Sequence, residues 1–295
     1  MKAKLRYRII IHAILILLCL SIIVPFIYVV SLSMTAEDVI VSGGYKMIPP
    51  ELDFSAYRNV FKNPGQLISS YKITIAFSVL GTLLSMIVMT MIAYAISREQ
   101  FYYKKIVTFI VYFTMLFSGG LVPHYIINTK YLNLTDSFWV YILPSLATAY
   151  HILILRTFFK GLPASLTEAA KIDGASEFTI FRVIVLPLSK PVLATVSLLT
   201  LLSKWNDWQT SLLYILDNNK FSLQYLLQKI LREADFLKKI SEQNNVIVSE
   251  NYSQTQPVES MRFAMAILAA GPMMVVFPFF QKYFTKGLTI GAVKG

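Results

Sequence analysis

The sequence predicts an all-α, polytopic membrane protein with about six transmembrane helices. The 295-residue chain is 56% hydrophobic and only 15% charged, which is too apolar for a soluble domain of this length. Blocks without Asp, Glu, Lys or Arg have about the ~20 residues with which a helix crosses ~30 Å of hydrocarbon; they are 9–36, 73–97, 106–129, 137–155 and 263–281. A further block, 191–216, has a similar length but contains Lys204 and Asp207. Within one transmembrane domain, residues 1–295, we place the spans at about 9–34, 73–97, 106–128, 137–156, 191–214 and 263–282.

The first span follows a basic segment that contains Lys2, Lys4, Arg6 and Arg8. This start resembles that of a signal peptide. However, the apolar stretch is longer than the ~7–15 residues of a signal core, and no small-x-small cleavage pattern ends it, so we expect a retained helix. The single cysteine, Cys19, leaves neither an intrachain disulfide nor a cysteine-based metal site.

The charges of the loops predict the orientation. With a cytoplasmic N-terminus, segments 1–8, 97–105, 156–190 and 282–295 face the cytoplasm and hold 15 basic and 4 acidic residues. Their balance of +11 equals the formal charge of the chain, because the other 12 basic and 12 acidic residues cancel. Lys and Arg in short loops resist translocation, so we predict that both termini are cytoplasmic. Nucleic-acid binding is disfavoured, since the basic residues are scattered over short loops.

The second and third spans are connected by a short basic turn. The second span follows an external segment, about 35–71, and ends in Ala93-Tyr94-Ala95-Ile96-Ser97-Arg98. Near the outer end of the third span, Ser118-Gly119-Gly120 and Pro123 predict close helix packing or a local break. A gating role for this segment is an open alternative.

The fourth span leads into a cytoplasmic loop, about 160–187, in which we predict a short helix. Ser165-x-x-Glu168 has the pattern of a capping box, in which the serine hydroxyl accepts from the third backbone N–H. Gly174 supplies a left-handed stop, so the helix has about eight or nine residues. A helix of this length is not stable alone and must dock, either on its own bundle or on a partner.

The fifth span carries the candidate solute pathway. If its helix begins at Pro191, Lys204 and Asp207 lie roughly 20–24 Å along it, in the outer third of the ~30 Å core. They are three residues apart and can pair on one face, and charges at such depth usually face a bundle interior or a water-filled cavity. Trp205, Asn206 and Trp208 beside them suit sugar recognition. An aromatic belt at the membrane interface is the alternative.

The last external loop, about 216–261, begins with a predicted amphipathic helix over 221–241. Its apolar positions recur at helical spacing; they are Leu223, Leu226, Leu227, Ile230, Leu231, Ala234 and Leu237. The helix could cap the outer mouth, rest on the lipid interface or contact a partner. Residues 242–258 read as a solvated loop.

The cytoplasmic loop resembles the signature loop of ABC importer permeases. The matching residues are Glu168-Ala169-Ala170, Gly174, Ile184 and Leu186-Pro187. Further stretches resemble the carbohydrate-import branch, most closely the smaller permease of complex-oligosaccharide and alginate-type importers; they are 117–123, 156–159, 186–191, 205–208, 281–287 and 291–295. The least familiar region is about 235–258, so no partner contact is carried over to it.

This resemblance implies a permease subunit of the bacterial cytoplasmic membrane that couples to separate ATPase subunits through the loop. The candidate coupling residues are Ser165, Glu168, Ala169, Ala170, Asp173, Gly174, Ile184, Leu186 and Pro187. The implied partners are a second homologous permease, two copies of a cytoplasmic ATP-binding subunit, and a lipid-anchored or periplasmic solute-binding protein. ATP and Mg²⁺ would be bound by the ATPase subunits, and this chain would bind no cofactor.

Catalytic motifs are missing from the sequence. There is no Gly-x-x-x-x-Gly-Lys-Ser/Thr loop to cradle phosphates. His12, His124 and His151 are far apart and complete no catalytic or metal-binding pattern, so we expect them to have packing or interfacial roles.

The main competing hypothesis is an ion-coupled secondary carrier acting alone, although Lys204 and Asp207 lie above the midplane and no inverted repeat is evident. A membrane sensor would be expected to carry an appended soluble domain, and we see none.

Overall fold

The structure, a computed structural model, describes residues 2–62, 64–244 and 258–292. Residues 245–257 of the predicted external loop lie outside the described residues. So do residues 293–295, which include Lys294 of the predicted cytoplasmic charge and the end of the resemblance at 291–295.

The described part of the chain is built from helices and contains no β-strand. In chain order the α-helices are α1 (Lys2–Ser33), α2 (Glu37–Gly43), α3 (Ser55–Val60), α4 (Pro64–Ser97), α5 (Lys104–Leu116), α6 (Leu121–Ile126), α7 (Ala149–Lys160), α8 (Ala164–Ile172), α9 (Glu177–Ile180), α10 (Leu186–Leu188), α11 (Lys190–Trp205), α12 (Gln209–Tyr214), α13 (Leu223–Asn244) and α14 (Val258–Ala292). Shorter 3₁₀ turns cover Phe138–Tyr141, Leu143–Ser145 and Asn218–Lys220, and π-helical turns cover Ile127–Tyr131 and Phe181–Val185.

Within the described residues, three continuous helices are long and apolar enough to cross a membrane: Arg8–Ser33, Pro64–Ser97 and Glu259–Gln281. Three bent pairs pass the same test, with bends of 114° at 117–120, 50° at 146–148 and 81° at Ser189. Counting each pair as one span gives up to six. The predicted all-α polytopic fold is confirmed.

The predicted third span is interrupted between α5 and α6, as the Ser-Gly-Gly sequence allows. Between α5 and α6, Gly120 has φ 85°, a left-handed conformation that a residue with a Cβ rarely adopts. The Gly120 N–H donates to the Ser118 hydroxyl at 3.2 Å, and Pro123 stands early in α6. The Ser-Gly-Gly sequence therefore turns the chain by 114° at this point.

The chain divides into two compact units. The first contains 1–67 and 226–272. Within it, the Glu37 carboxylate accepts from the backbone N–H groups of Glu259 and Ser260, both at 2.8 Å, so it caps the start of α14. Along α1 every described side chain from Arg8 to Ile27 is exposed, which is the pattern of a helix surrounded by lipid or by a partner's helices.

The second unit contains 68–225 and 273–295 and has two described clusters of buried apolar side chains. One joins α4, α7, the Glu177–Leu188 segment and α11 around Met89, Leu155 and Val196. In the other, Phe77 and Tyr141 stack with ring centroids 4.4 Å apart. The Tyr141 hydroxyl lies 2.6 Å from the Ser211 hydroxyl and donates to the Lys220 carbonyl at 2.8 Å.

An ion pair fixes the connection that precedes the fourth span. The Lys220 ammonium lies 2.9 Å from the Asp136 carboxylate, which also accepts from the backbone N–H groups of Leu216 and Asp217. The Lys220 hydrogen bond, together with these N–H groups and against a smaller effect of burial, holds the pKa of Asp136 below its usual value.

Candidate functional site

The candidate coupling helix is α8, which begins at Ala164, two residues earlier than the capping-box pattern with Ser165 as N-cap predicts. Pro163 is the residue before the helix, and no side chain caps its first turn. Ser165 is therefore the second helical residue. The predicted capping role of Ser165 and Glu168 is wrong, because a serine inside the first turn no longer occupies the N-cap position.

The end of α8 is fixed by Gly174. This residue has φ 75°, as the left-handed stop requires. The Gly174 N–H donates to the Lys171 carbonyl at 3.0 Å, and the Ala175 N–H donates to the Ala170 carbonyl at 2.9 Å. These two bonds form a Schellman motif, which satisfies the last carbonyls of the helix and sets the direction in which the chain leaves it.

The two sides of α8 differ in their surroundings. Ala170 packs against the buried cluster of the second unit. On the outer side Leu166 is 43% and Ile172 86% exposed, and Ala169 and Asp173 are exposed as well. The helix thus docks on its own bundle by one edge and leaves a second apolar surface, Leu166, Ala169 and Ile172, uncovered.

A cleft of about 420 Å³ separates part of α8 from the C-terminal end of α4. Its walls carry charges of both signs; the lining side chains include Arg98, Glu99, Lys160, Glu168 and Lys171. Glu168, a residue of the resemblance, therefore lies on the inner side of α8 rather than on the exposed apolar surface.

The segment after Gly174 returns the chain to the core. Ser176 caps α9 by accepting from the Thr179 N–H at 3.2 Å. Ile184 and Leu186 then pack against the buried cluster, whereas Pro187 is exposed at the start of α10. The residues of the resemblance thus belong to one structural unit: a short outer helix and its anchor in the bundle.

Sequence reasoning missed one group of residues at this site. Glu177 contacts Tyr94, Arg98 and Lys171, which come from the end of α4 and from α8. Arg98 and Glu177 are 79 positions apart, so no local spacing relates them. The only sequence signal was the placement of Tyr94 and Arg98, four residues apart, at the end of an apolar span.

The five predicted pathway residues do not form one surface. Lys204 is only 5% exposed, and its ammonium donates to the Ser145 hydroxyl at 2.8 Å. Its stem lies against Gly81, where an added Cβ would be 3.0 Å from the Lys204 Cδ and Cε atoms. Trp205 is also buried, Trp208 is half-buried, and Asn206 is exposed and accepts from the Gln224 side chain at 3.3 Å.

The expected pairing of Lys204 with Asp207 is wrong. No oxygen of Asp207 lies within 4.0 Å of the Lys204 ammonium among the ion pairs of the described residues. Asp207, which follows the end of α11 at Trp205, instead accepts from the Thr210 backbone N–H at 3.0 Å, an otherwise unpaired donor in the first turn of α12.

Another polar cluster lies beside the break in the third span. The amide of the buried Asn128 is 3.1 Å from His124 Nδ1 and donates to the Tyr214 hydroxyl at 3.2 Å. Tyr125 stacks on Tyr214 with ring centroids 5.6 Å apart. His124 thus belongs to a hydrogen-bonded packing cluster, as expected. Within the described ranges, no group of three His, Cys, Asp or Glu side chains could hold a metal ion.

Comparison with known proteins finds one matching family and several similar proteins. Residues 73–290 match the protein family described as "Binding-protein-dependent transport system inner membrane component". The chain is 36% identical, over 100% of both proteins, to the polygalacturonan/rhamnogalacturonan transport system permease protein YtcP of Bacillus subtilis (strain 168). It is 35% identical to Protein LplC of the same strain, covering 92% of this chain and 90% of LplC.

A solved structure shares the fold over nearly the whole chain. It is the crystal structure of a bacterial ABC transporter involved in the import of the acidic polysaccharide alginate. The match has a TM-score of 0.79 and 28% sequence identity, and it covers 96% of this chain and 98% of the other.

Proposed function

The chain belongs to the family of binding-protein-dependent transport system inner membrane components, and from this membership we propose how it takes part in ATP-driven import. It is a permease subunit of an ABC importer for sugars, and its relatives support this function over that of an ion-coupled carrier. Its solute would be an oligosaccharide. Fragments of acidic polysaccharides are the first candidates, because the names of YtcP and of the alginate importer refer to such polymers.

The observation that carries the proposed coupling role is the uncovered apolar surface of α8. A two-turn helix that leaves Leu166 and Ile172 exposed outside the buried cluster is costly in water. A partner protein that covers this surface would remove the cost. The resemblance of 168–187 to the permease signature loop supports the ATP-binding subunit as this partner.

The mechanism follows from a helix attached at both ends. ATP-driven closure of the ATPase subunits would displace α8, and the Schellman motif at Gly174 with the anchor at Ile184 and Leu186 would pass this displacement to the bundle. The spans would then alternate between inward-facing and outward-facing states. ATP can do this only by stabilising one state more than the other.

The remaining partners and the location are parts of the same proposal. We expect a second permease, two ATP-binding subunits and a lipid-anchored or periplasmic solute-binding protein. ATP and Mg²⁺ would belong to the ATPase subunits, and this chain would be non-catalytic and bind no cofactor. The protein is a multi-pass protein of the cell membrane, and we propose that both termini and α8 are cytoplasmic.

Copurification tests the proposal. The full-length chain, extracted from its native membrane in mild detergent, should retain an ATPase subunit and a second permease. The solute-binding protein encoded with the complex would then be screened against neutral and uronate-containing oligosaccharides by calorimetry. A chain that transports sugar in proteoliposomes without any ATPase would contradict the assignment.

A substitution at Lys204 tests the predicted pathway. Lys204→Met keeps an unbranched side chain against Gly81 and removes a buried charge, so we expect little loss of thermal stability. If Lys204 contributes to solute passage, uptake of the sugar identified by the screen falls about tenfold. This factor corresponds to the roughly 1.5 kcal/mol that a hydrogen bond to a charged group contributes. Lys72→Met, at an exposed position of α4, is the control. Unchanged uptake by Lys204→Met would remove Lys204 from the pathway.

A further inference from the structure

We propose that Glu177 is a positioning residue that fastens α8 to the C-terminal end of α4, so that the two move as one body when ATP is bound. This inference rests on the proposed coupling role of α8 and adds the link by which its movement reaches a transmembrane helix. The motif of the resemblance does not include Glu177, Arg98 or Tyr94.

One carboxylate joins three chain segments. Glu177 Oε1 lies 2.8 Å from the Lys171 ammonium in α8. Glu177 Oε2 accepts from the Tyr94 hydroxyl at 2.6 Å and lies 3.3 Å from Arg98 Nε. Lys171 adds a second link to the same region, because its ammonium donates to Gln100 Oε1 at 2.9 Å.

The α4 side of this link is rigidly held. The Arg98 side chain is 19% exposed, and its guanidinium carbon lies 5.2 Å from the centre of the Tyr94 ring. The Tyr94 ring packs in turn on Phe181 at 4.9 Å, within the buried cluster. Arg156 in α7 donates to the Ile96 carbonyl at 3.4 Å, which ties the last turn of α4 to a further span.

The position of α8 depends on the contacts that Glu177 makes. Because a cleft lies between α8 and the end of α4, these two helices do not pack broadly against each other. Ala170 is the described residue of α8 that packs against the buried cluster. Without Glu177, α8 could tilt into or away from the cleft when the ATPase moves it. Because Glu177 is half exposed, its ion pairs add little to overall stability. Their effect is on the position of α8.

Spin-label distances in the intact complex test this role. With Cys19 replaced by serine, labels are placed at Thr167→Cys in α8 and at Tyr102→Cys, an 88%-exposed position just beyond α4. The distance is measured without nucleotide and after trapping with MgATP and vanadate. In the otherwise native complex we expect the same distance in both states. In Glu177→Gln we expect a broader distribution and a shift of about 2 Å or more between states.

Two further variants make the test specific. Glu99→Gln neutralises a carboxylate of the same cleft that contacts neither Lys171 nor Tyr94 in the described structure, and it should behave as the native complex does. Tyr94→Phe removes only the hydroxyl from the link and should broaden the distance distribution as Glu177→Gln does. It therefore also provides the test if the Glu177→Gln complex does not assemble. All variants should retain the ATPase, because the exposed surface of α8 is unchanged.

Two results would overturn the inference: a distance that changes with nucleotide in the native complex, or a distance that stays fixed in both Glu177→Gln and Tyr94→Phe. Absence of any ATPase from the native complex would instead overturn the proposed function, and this inference with it.

Discussion

Replacing Gly174 with valine is expected to lower ATP-driven sugar uptake by at least about tenfold. Gly174 has φ 75°, where a residue with a Cβ pays about 1–2 kcal/mol and a β-branched residue pays more. No atom beyond its two chain neighbours lies within 4 Å of an added Cβ, so the effect is on backbone conformation rather than a clash with another part of the structure. Valine would disfavour the Schellman motif and change the direction in which the chain leaves α8.

The matched control at this position is Gly174→Asn. Asparagine tolerates the left-handed region, so this variant should keep most of the native uptake despite its larger side chain. Both variants would be reconstituted with their partner subunits, and uptake and ATP hydrolysis measured in the same proteoliposomes. Equal activity of the valine and asparagine variants would show that the left-handed turn does not matter for coupling.

Replacing Ile172 with aspartate is expected to release the ATPase subunit from the complex. Ile172 is 86% exposed on the proposed docking surface, so the substitution should leave the fold of this chain intact. A charge buried in an apolar contact commonly costs an interface 2 kcal/mol or more, about 30-fold in affinity. The measurement is the amount of ATPase that copurifies with each variant in mild detergent.

Ile172→Leu serves as the control, because it keeps the apolar character and volume of the surface and should retain the ATPase. Thermal stability of both variants in detergent shows whether either is misfolded. Native amounts of bound ATPase in a well-folded Ile172→Asp variant would place the docking surface elsewhere.

Most of the fold could be predicted from the distribution of charge. Blocks without charged residues identify segments that can cross a membrane, because length and polarity alone set this requirement. They do not show where a span bends. Loops such as 117–120 and 146–148 contain no charged residue, so the charge pattern does not distinguish them from the spans, and only the Ser-Gly-Gly sequence gave a physical reason for a break.

The coupling loop could be predicted in outline and not in its contacts. Gly174 signalled the end of α8 correctly, since a left-handed residue favours glycine. Ser165 was misleading, because the helix begins two residues earlier than a cap at this serine requires. Lys204 donates to Ser145 instead of pairing with Asp207, and no local spacing relates these two residues, which are 59 positions apart. Glu177 escaped prediction for a similar reason: its partners on α4 are distant in sequence.

Photocrosslinking from Ala169 tests the central claim most directly. This residue lies on the exposed surface of α8, and a benzophenone amino acid placed there in cells reports which protein covers it. We expect a single major adduct between this chain and its ATP-binding subunit, and loss of that adduct in Ile172→Asp. Adducts only with lipid or with this chain itself, in cells that still import the sugar, would contradict the account.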